Sequence, residues 1–71
     1  MNQIQPLPQP VQINPYPGGE EAIFYLNGRK VSVARSHDGL FDVLTESGKY
    51  LYTGTDEQAA QNATLEFLTG V

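Results

Sequence analysis

The chain has 71 residues, a net charge of −4 and no cysteine. Eight carboxylates against four basic side chains argue against a duplex nucleic-acid binder, because such proteins gain affinity by placing Lys and Arg on phosphates. Without cysteine neither a disulfide framework nor a thiolate metal site is available, and a core this small lies near the lower limit for folding without staples.

The first charged side chain is Glu20, and all five prolines, at positions 6, 8, 10, 15 and 17, precede it. Proline removes backbone donors and presets φ, so residues 1–19 read as an extended or disordered arm, with Gly18-Gly19 as the joint to a domain over 20–71. The prolines stand two apart, so no PxxP ligand for a proline-reading domain exists. Leu7, Val11 and Ile13 alternate with proline and glutamine. That alternation suits an arm lying in a groove on its own sheet or on a partner, whereas a disordered tail is the competing reading. The N-terminus lacks a basic region followed by an apolar run, and no stretch reaches the length of a membrane span. The expectation is a cytoplasmic protein of a bacterial cell or phage-infected host.

The segment "AIFYLNGRKVSVA" carries two β-prone runs around Asn27-Gly28, a pair suited to a type I′ turn. A two-residue loop sets Leu26 opposite Arg29, Phe24 opposite Val31 and Ala22 opposite Val33. These apolar residues then share a core face, while Ile23, Tyr25, Lys30 and Ser32 point the other way. Asp38-Gly39 marks the next turn and leads to a third strand over 40–45. "ESGK" turns into a fourth over 49–53. Two registers compete there: a three-residue loop with Gly48 left-handed pairs Val43 with Leu51 and Leu44 with Tyr50, whereas a two-residue loop pairs Val43 with Tyr52. The bulged loop is favoured, since Phe41, Val43 and Leu51 then form one apolar face.

After Gly54 the period changes. "TDEQ" over 55–58 is a capping-box pattern with Thr55 as N-cap and Gln58 reaching back, and Asp56 and Glu57 complement the helix dipole. Ala59, Ala60, Ala63 and Phe67 make the stripe that faces the sheet, and Gly70 stops the helix. The expected fold is α+β: a four-stranded antiparallel meander, or three long strands, with one C-terminal helix on one face and a Pro-rich arm before it. This element order resembles the arm-binding N-terminal domains of tyrosine recombinases, which use a small sheet to read DNA. Those domains are basic where this chain is acidic, and no residue carries over.

No catalytic constellation emerges. His37 is the single histidine, and beside Asp38 in a turn it lacks the nucleophile and orienting group a dyad needs. One histidine and scattered carboxylates do not make a metal set, and no phosphate loop occurs. Neither an enzyme nor a cofactor is expected. Asn62-Ala63-Thr64 matches the glycosylation triplet but lies mid-helix, so it reads as chance.

Tyrosines carry the functional signal. With one helix on one side, the other sheet face is expected to present Ile23, Tyr25, Leu44, Tyr50 and Tyr52 as a broad, partly apolar surface, with Leu65 and Leu68 on the helix flank away from the alanine stripe. Small acidic cysteine-free chains of this kind are common among phage and bacterial accessory proteins. The reading is a non-enzymatic interaction module that binds and regulates or inhibits a larger protein with a basic surface, such as a nucleic-acid enzyme. A homo-oligomeric assembly protein, joined through its arm, is the alternative. Single-strand binding by stacking on the aromatic face is a third, weakened because only Lys30 lies near Tyr25.

Overall fold

The computed structural model describes residues 7–70. Five strands, β1 (Gln12–Tyr16), β2 (Gly19–Leu26), β3 (Arg29–Ser36), β4 (Phe41–Thr45) and β5 (Tyr50–Gly54), are followed by one helix, α1 (Glu57–Thr69). They form one antiparallel sheet in sequence order, so the protein is α+β.

The expectation of four strands is corrected by β1, which comes from the arm. Gln12 pairs with Ile23, Ile13 with Ala22 and Asn14 with Glu21, and the chain reverses through Pro17-Gly18. A proline-bearing segment can be a strand here because β1 is the sheet's edge, where a proline deprives no second neighbour of a ladder bond. Leu7, further back in the arm, packs against the core. The arm is thus partly structured on its own sheet; its residues 1–6 lie outside the described residues. Gly19 is required where β2 begins, since a Cβ there would fall 2.1 Å from the Arg35 carbonyl oxygen.

The β2–β3 hairpin has the register read from the sequence: Leu26 opposite Arg29, Phe24 opposite Val31, Ala22 opposite Val33. Asn27 and Gly28 both have positive φ, 55° and 74°, as a type I′ turn requires. The buried core consists of Phe24, Val31, Phe41, Val43, Ala60 and Leu68, with Ala22, Leu26, Val33, Leu51, Tyr52 and Phe67 packed around it.

Between β4 and β5 the ladder combines the two registers. Gly48 is left-handed, φ 91°, and Leu44 faces Tyr50, but a bulge then shifts the pairing so that Val43 faces Tyr52 rather than Leu51. The extra residue turns Tyr50 and Tyr52 to opposite faces, and Leu51 and Tyr52 both pack on the core.

The helix begins one residue later than the capping box predicts. Asp56, not Thr55, is the N-cap, with Oδ1 accepting from the Ala59 N–H at 3.2 Å. Gln58 donates instead to Asn62 at 3.1 Å. The buried stripe is Ala60, Thr64 and Leu68: of the expected Ala59, Ala60, Ala63 and Phe67, Ala60 is buried, and a rotation of the helix leaves the other three half-buried. Thr64 satisfies its hydroxyl by donating to the Ala60 carbonyl at 2.8 Å, so it can sit in the core. Gly70 ends the helix at φ 80°, its N–H bonded to the Glu66 carbonyl.

Candidate functional site: the open face of the sheet

Because α1 packs on one side, alternation along the strands projects a second set of side chains from the other side. Opposite residues in an antiparallel ladder share a face, so the register places Gln12 and Asn14 of β1, Glu21, Ile23 and Tyr25 of β2, Lys30, Ser32 and Ala34 of β3, Asp42 and Leu44 of β4 and Tyr50 of β5 together. Tyr25 and Tyr50 are 54% and 59% exposed. Ile23 and Leu44 are half-buried among their neighbours.

A chain of polar groups crosses three strands between these apolar residues. Gln12 Nε2 donates to the Asn14 side-chain Oδ1 at 2.7 Å, Asn14 Nδ2 donates to one Glu21 carboxylate oxygen at 3.2 Å, and Ser32 donates to the other at 2.6 Å. The Ser32 hydroxyl and then the Asn14 amide, with a smaller effect of the Lys30 charge, hold Glu21 below its ordinary pKa. Glu21 is therefore an ionised, orientationally fixed carboxylate in a shallow depression that also involves Ile23, Lys30, Leu44 and Glu46.

The structure brings together four of the residues singled out in the sequence: Ile23, Tyr25, Leu44 and Tyr50. Three others lie elsewhere. Tyr52 is turned to the helix side by the bulge, where its hydroxyl accepts the Asp56 N–H at 3.0 Å. Leu68 is fully buried and belongs to the core, so a surface role for it is corrected. It replaces Phe67 as the helix anchor, while Phe67 lies half-buried beneath the Arg29 guanidinium, 5.5 Å from the ring centre. Leu65 is half-buried on the helix. Sequence reasoning missed Gln12, Asn14 and Glu21, because they form a group only once the arm is a strand; the alternation of Leu7, Val11 and Ile13 was the available signal.

On the helix side, a recess of about 140 Å³ lies between α1 and β2–β3, lined by Leu7, Ala22, Phe24, Val33, Phe41 and Ala60 among others. Arg35 and Glu57 at its rim approach to 3.8 Å, both well exposed. Among the described residues no three of His, Cys, Asp and Glu converge as metal ligands. The Ser36 hydroxyl donates to Asp38, which is held below its ordinary pKa by that bond. The His37 backbone N–H donates to the Gly18 carbonyl. Local capping thus occupies this turn. Among the described residues no helix is long and apolar enough to cross a membrane. No family model matches the chain, and no curated protein or solved structure matches it either.

Proposed function

We propose that this protein is a non-enzymatic interaction module whose open sheet face docks on a larger protein with a basic surface, regulating or inhibiting that protein by occupying the surface. The observation that carries the reading is the Glu21 carboxylate, held by Asn14 and Ser32 beside the row of Ile23, Leu44 and Tyr50, on a face that also exposes Tyr25. Tyrosine supplies contact area with a polar tip at small entropic cost, and a preorganised carboxylate on the same face suits an arginine or lysine of the partner. The net charge of −4 favours approach to a basic surface such as a nucleic-acid enzyme's groove. Direct nucleic-acid binding is disfavoured by the same carboxylate and by Lys30 being, among the described strand residues, the one cation on this face.

The test places a photo-crosslinking amino acid at Tyr25, at Tyr50 and at exposed His37 as a control, in a bacterial lysate. Any protein captured from the first two positions and not the third is then purified and titrated against the wild type, Tyr25→Ser/Tyr50→Ser and Glu21→Gln. The expected result is a stoichiometric complex weakened at least tenfold by each variant and by raised salt. Unchanged affinity in the variants overturns the reading.

A further inference from the structure

Strand β1 is held differently from the rest of the sheet. None of its residues is buried, and Asn14 alone is half-buried. The helix packs on β2, β3, β4 and β5 and does not reach β1, whose one neighbour is β2. Pro15 leaves the strand one backbone donor short. A segment with little buried apolar area and a single ladder opens at a lower free energy than a core strand does.

One side-chain bond crosses from β1 to β2. Asn14 and Glu21 stand opposite each other in the register, and Asn14 Nδ2 donates to the Glu21 carboxylate at 3.2 Å. Ser32 of β3 holds the other carboxylate oxygen at 2.6 Å, so the acceptor is already aimed when Asn14 arrives. A hydrogen bond to an oriented, ionised acceptor is stronger than one between neutral groups. Just beyond β1, the Gly18 carbonyl accepts the His37 N–H at 2.9 Å, which fixes the turn on the body of the sheet.

We propose that the arm from Leu7 to Tyr16 is a releasable strap that opens as a unit about the Pro17-Gly18 turn while β2–β5 and α1 stay folded, and that the Asn14–Glu21 bond is its latch. Opening withdraws Leu7 from the recess between α1 and the sheet. It also takes Gln12 and Asn14 off the open face and leaves Glu21 with Ser32 alone. The strap thus switches that face between a fixed carboxylate and a looser one. This last consequence rests on the docking reading above, whereas the opening does not.

Native-state hydrogen exchange on the full, free chain, resolved by NMR, tests the strap without any partner. The Val11 amide, which donates to the Ile23 carbonyl at 2.8 Å, and the β1 amides bonded to β2 should exchange by an opening that low urea does not promote. They should be at least about tenfold faster than the slowest amides of β3, which is paired on both sides. Asn14→Ala and Glu21→Gln should each speed the β1 exchange roughly three- to tenfold, a range kept modest by the exposure of the pair, and leave β3 unchanged. The double variant should fall short of the product of the single effects, because both remove the same bond. Should Glu21→Gln not fold, the effect of Asn14→Ala decides the latch. Exchange of β1 together with β3 in one urea-dependent opening overturns the strap. Single variants without effect, or effects that multiply in the double variant, overturn the latch. With no partner in the experiment, failure of the strap and failure of the docking face are read separately.

Discussion

Asn27 donates its side-chain amide to the Leu68 carbonyl at 3.1 Å, tying the β2–β3 turn to the end of the helix across 41 residues. Arg29, just past the same turn, donates to the Phe67 carbonyl at 3.1 Å. The last helical turn contains no basic residue of its own, so the hairpin provides both the donors and the positive charge that helix C-termini require. Asn27→Gly keeps the left-handed turn and removes the amide; it should cost about 1 kcal/mol in urea unfolding. Asn27→Ala should cost roughly 1 kcal/mol more, through its left-handed φ. Equal stability of Asn27→Gly and wild type would show that the tie contributes nothing.

The bulge in β5 assigns different work to two tyrosines that are two residues apart. Tyr52→Phe removes the acceptor of the Asp56 N–H at the helix start and should lose about 1 kcal/mol. Tyr50→Phe, on the open face, should stay within about 0.5 kcal/mol of wild type. Paired urea titrations check this, and the reverse order would contradict the register.

Leu68 and Phe67 are neighbours with different burdens. Leu68→Ala empties a fully buried site and should cost about 2–5 kcal/mol, enough to leave a domain of this size largely unfolded. Phe67→Ala, which uncovers a half-buried ring under Arg29, should cost distinctly less. Thermal melts followed by circular dichroism distinguish the two.

Glu21 gives the fold a pH dependence of defined sign. Its pKa is lowered in the folded state by Ser32, Asn14 and, less, Lys30, so the unfolded chain binds the proton more readily. The resulting stability is present above the ordinary glutamate pKa of about 4.3 and is lost as pH falls below it toward the depressed folded value. Glu21→Gln should therefore show a shallower loss of stability over that acidic window than wild type does. Parallel slopes would remove the carboxylate from the account.

Much of this architecture is legible in the residues themselves. Asn27-Gly28 can hardly be anything but a type I′ turn, and alternation on either side of it fixes the register of β2 and β3. Gly70 stops the helix for the same local reason. The open face with Ile23 and Tyr25 follows from that register. The N-cap was misplaced by one residue because Thr55 and Asp56 both supply a suitable oxygen, and local sequence does not rank them.

The arm is the larger difference: its alternation allows packing on its own sheet without choosing that over a disordered tail. Prolines and the absence of charge point away from a strand, but those signals describe a chain in isolation. β1 exists because an edge position tolerates Pro15 and because β2 offers it a ladder, neither of which is encoded locally. With β1 went Asn14 and Gln12, and so the polar chain around Glu21.

The sequence by itself determined what short-range sterics determine: the turns, the strand alternation, the helix and the acidic balance. Tertiary structure decided which side of the sheet Tyr52 joins, which helix stripe is buried and whether the arm belongs to the sheet. Each of those depends on a comparison between packings that differ by one residue of register or by a rotation of the helix. Such differences are settled by what lies across the interface and not by the residues next in the chain.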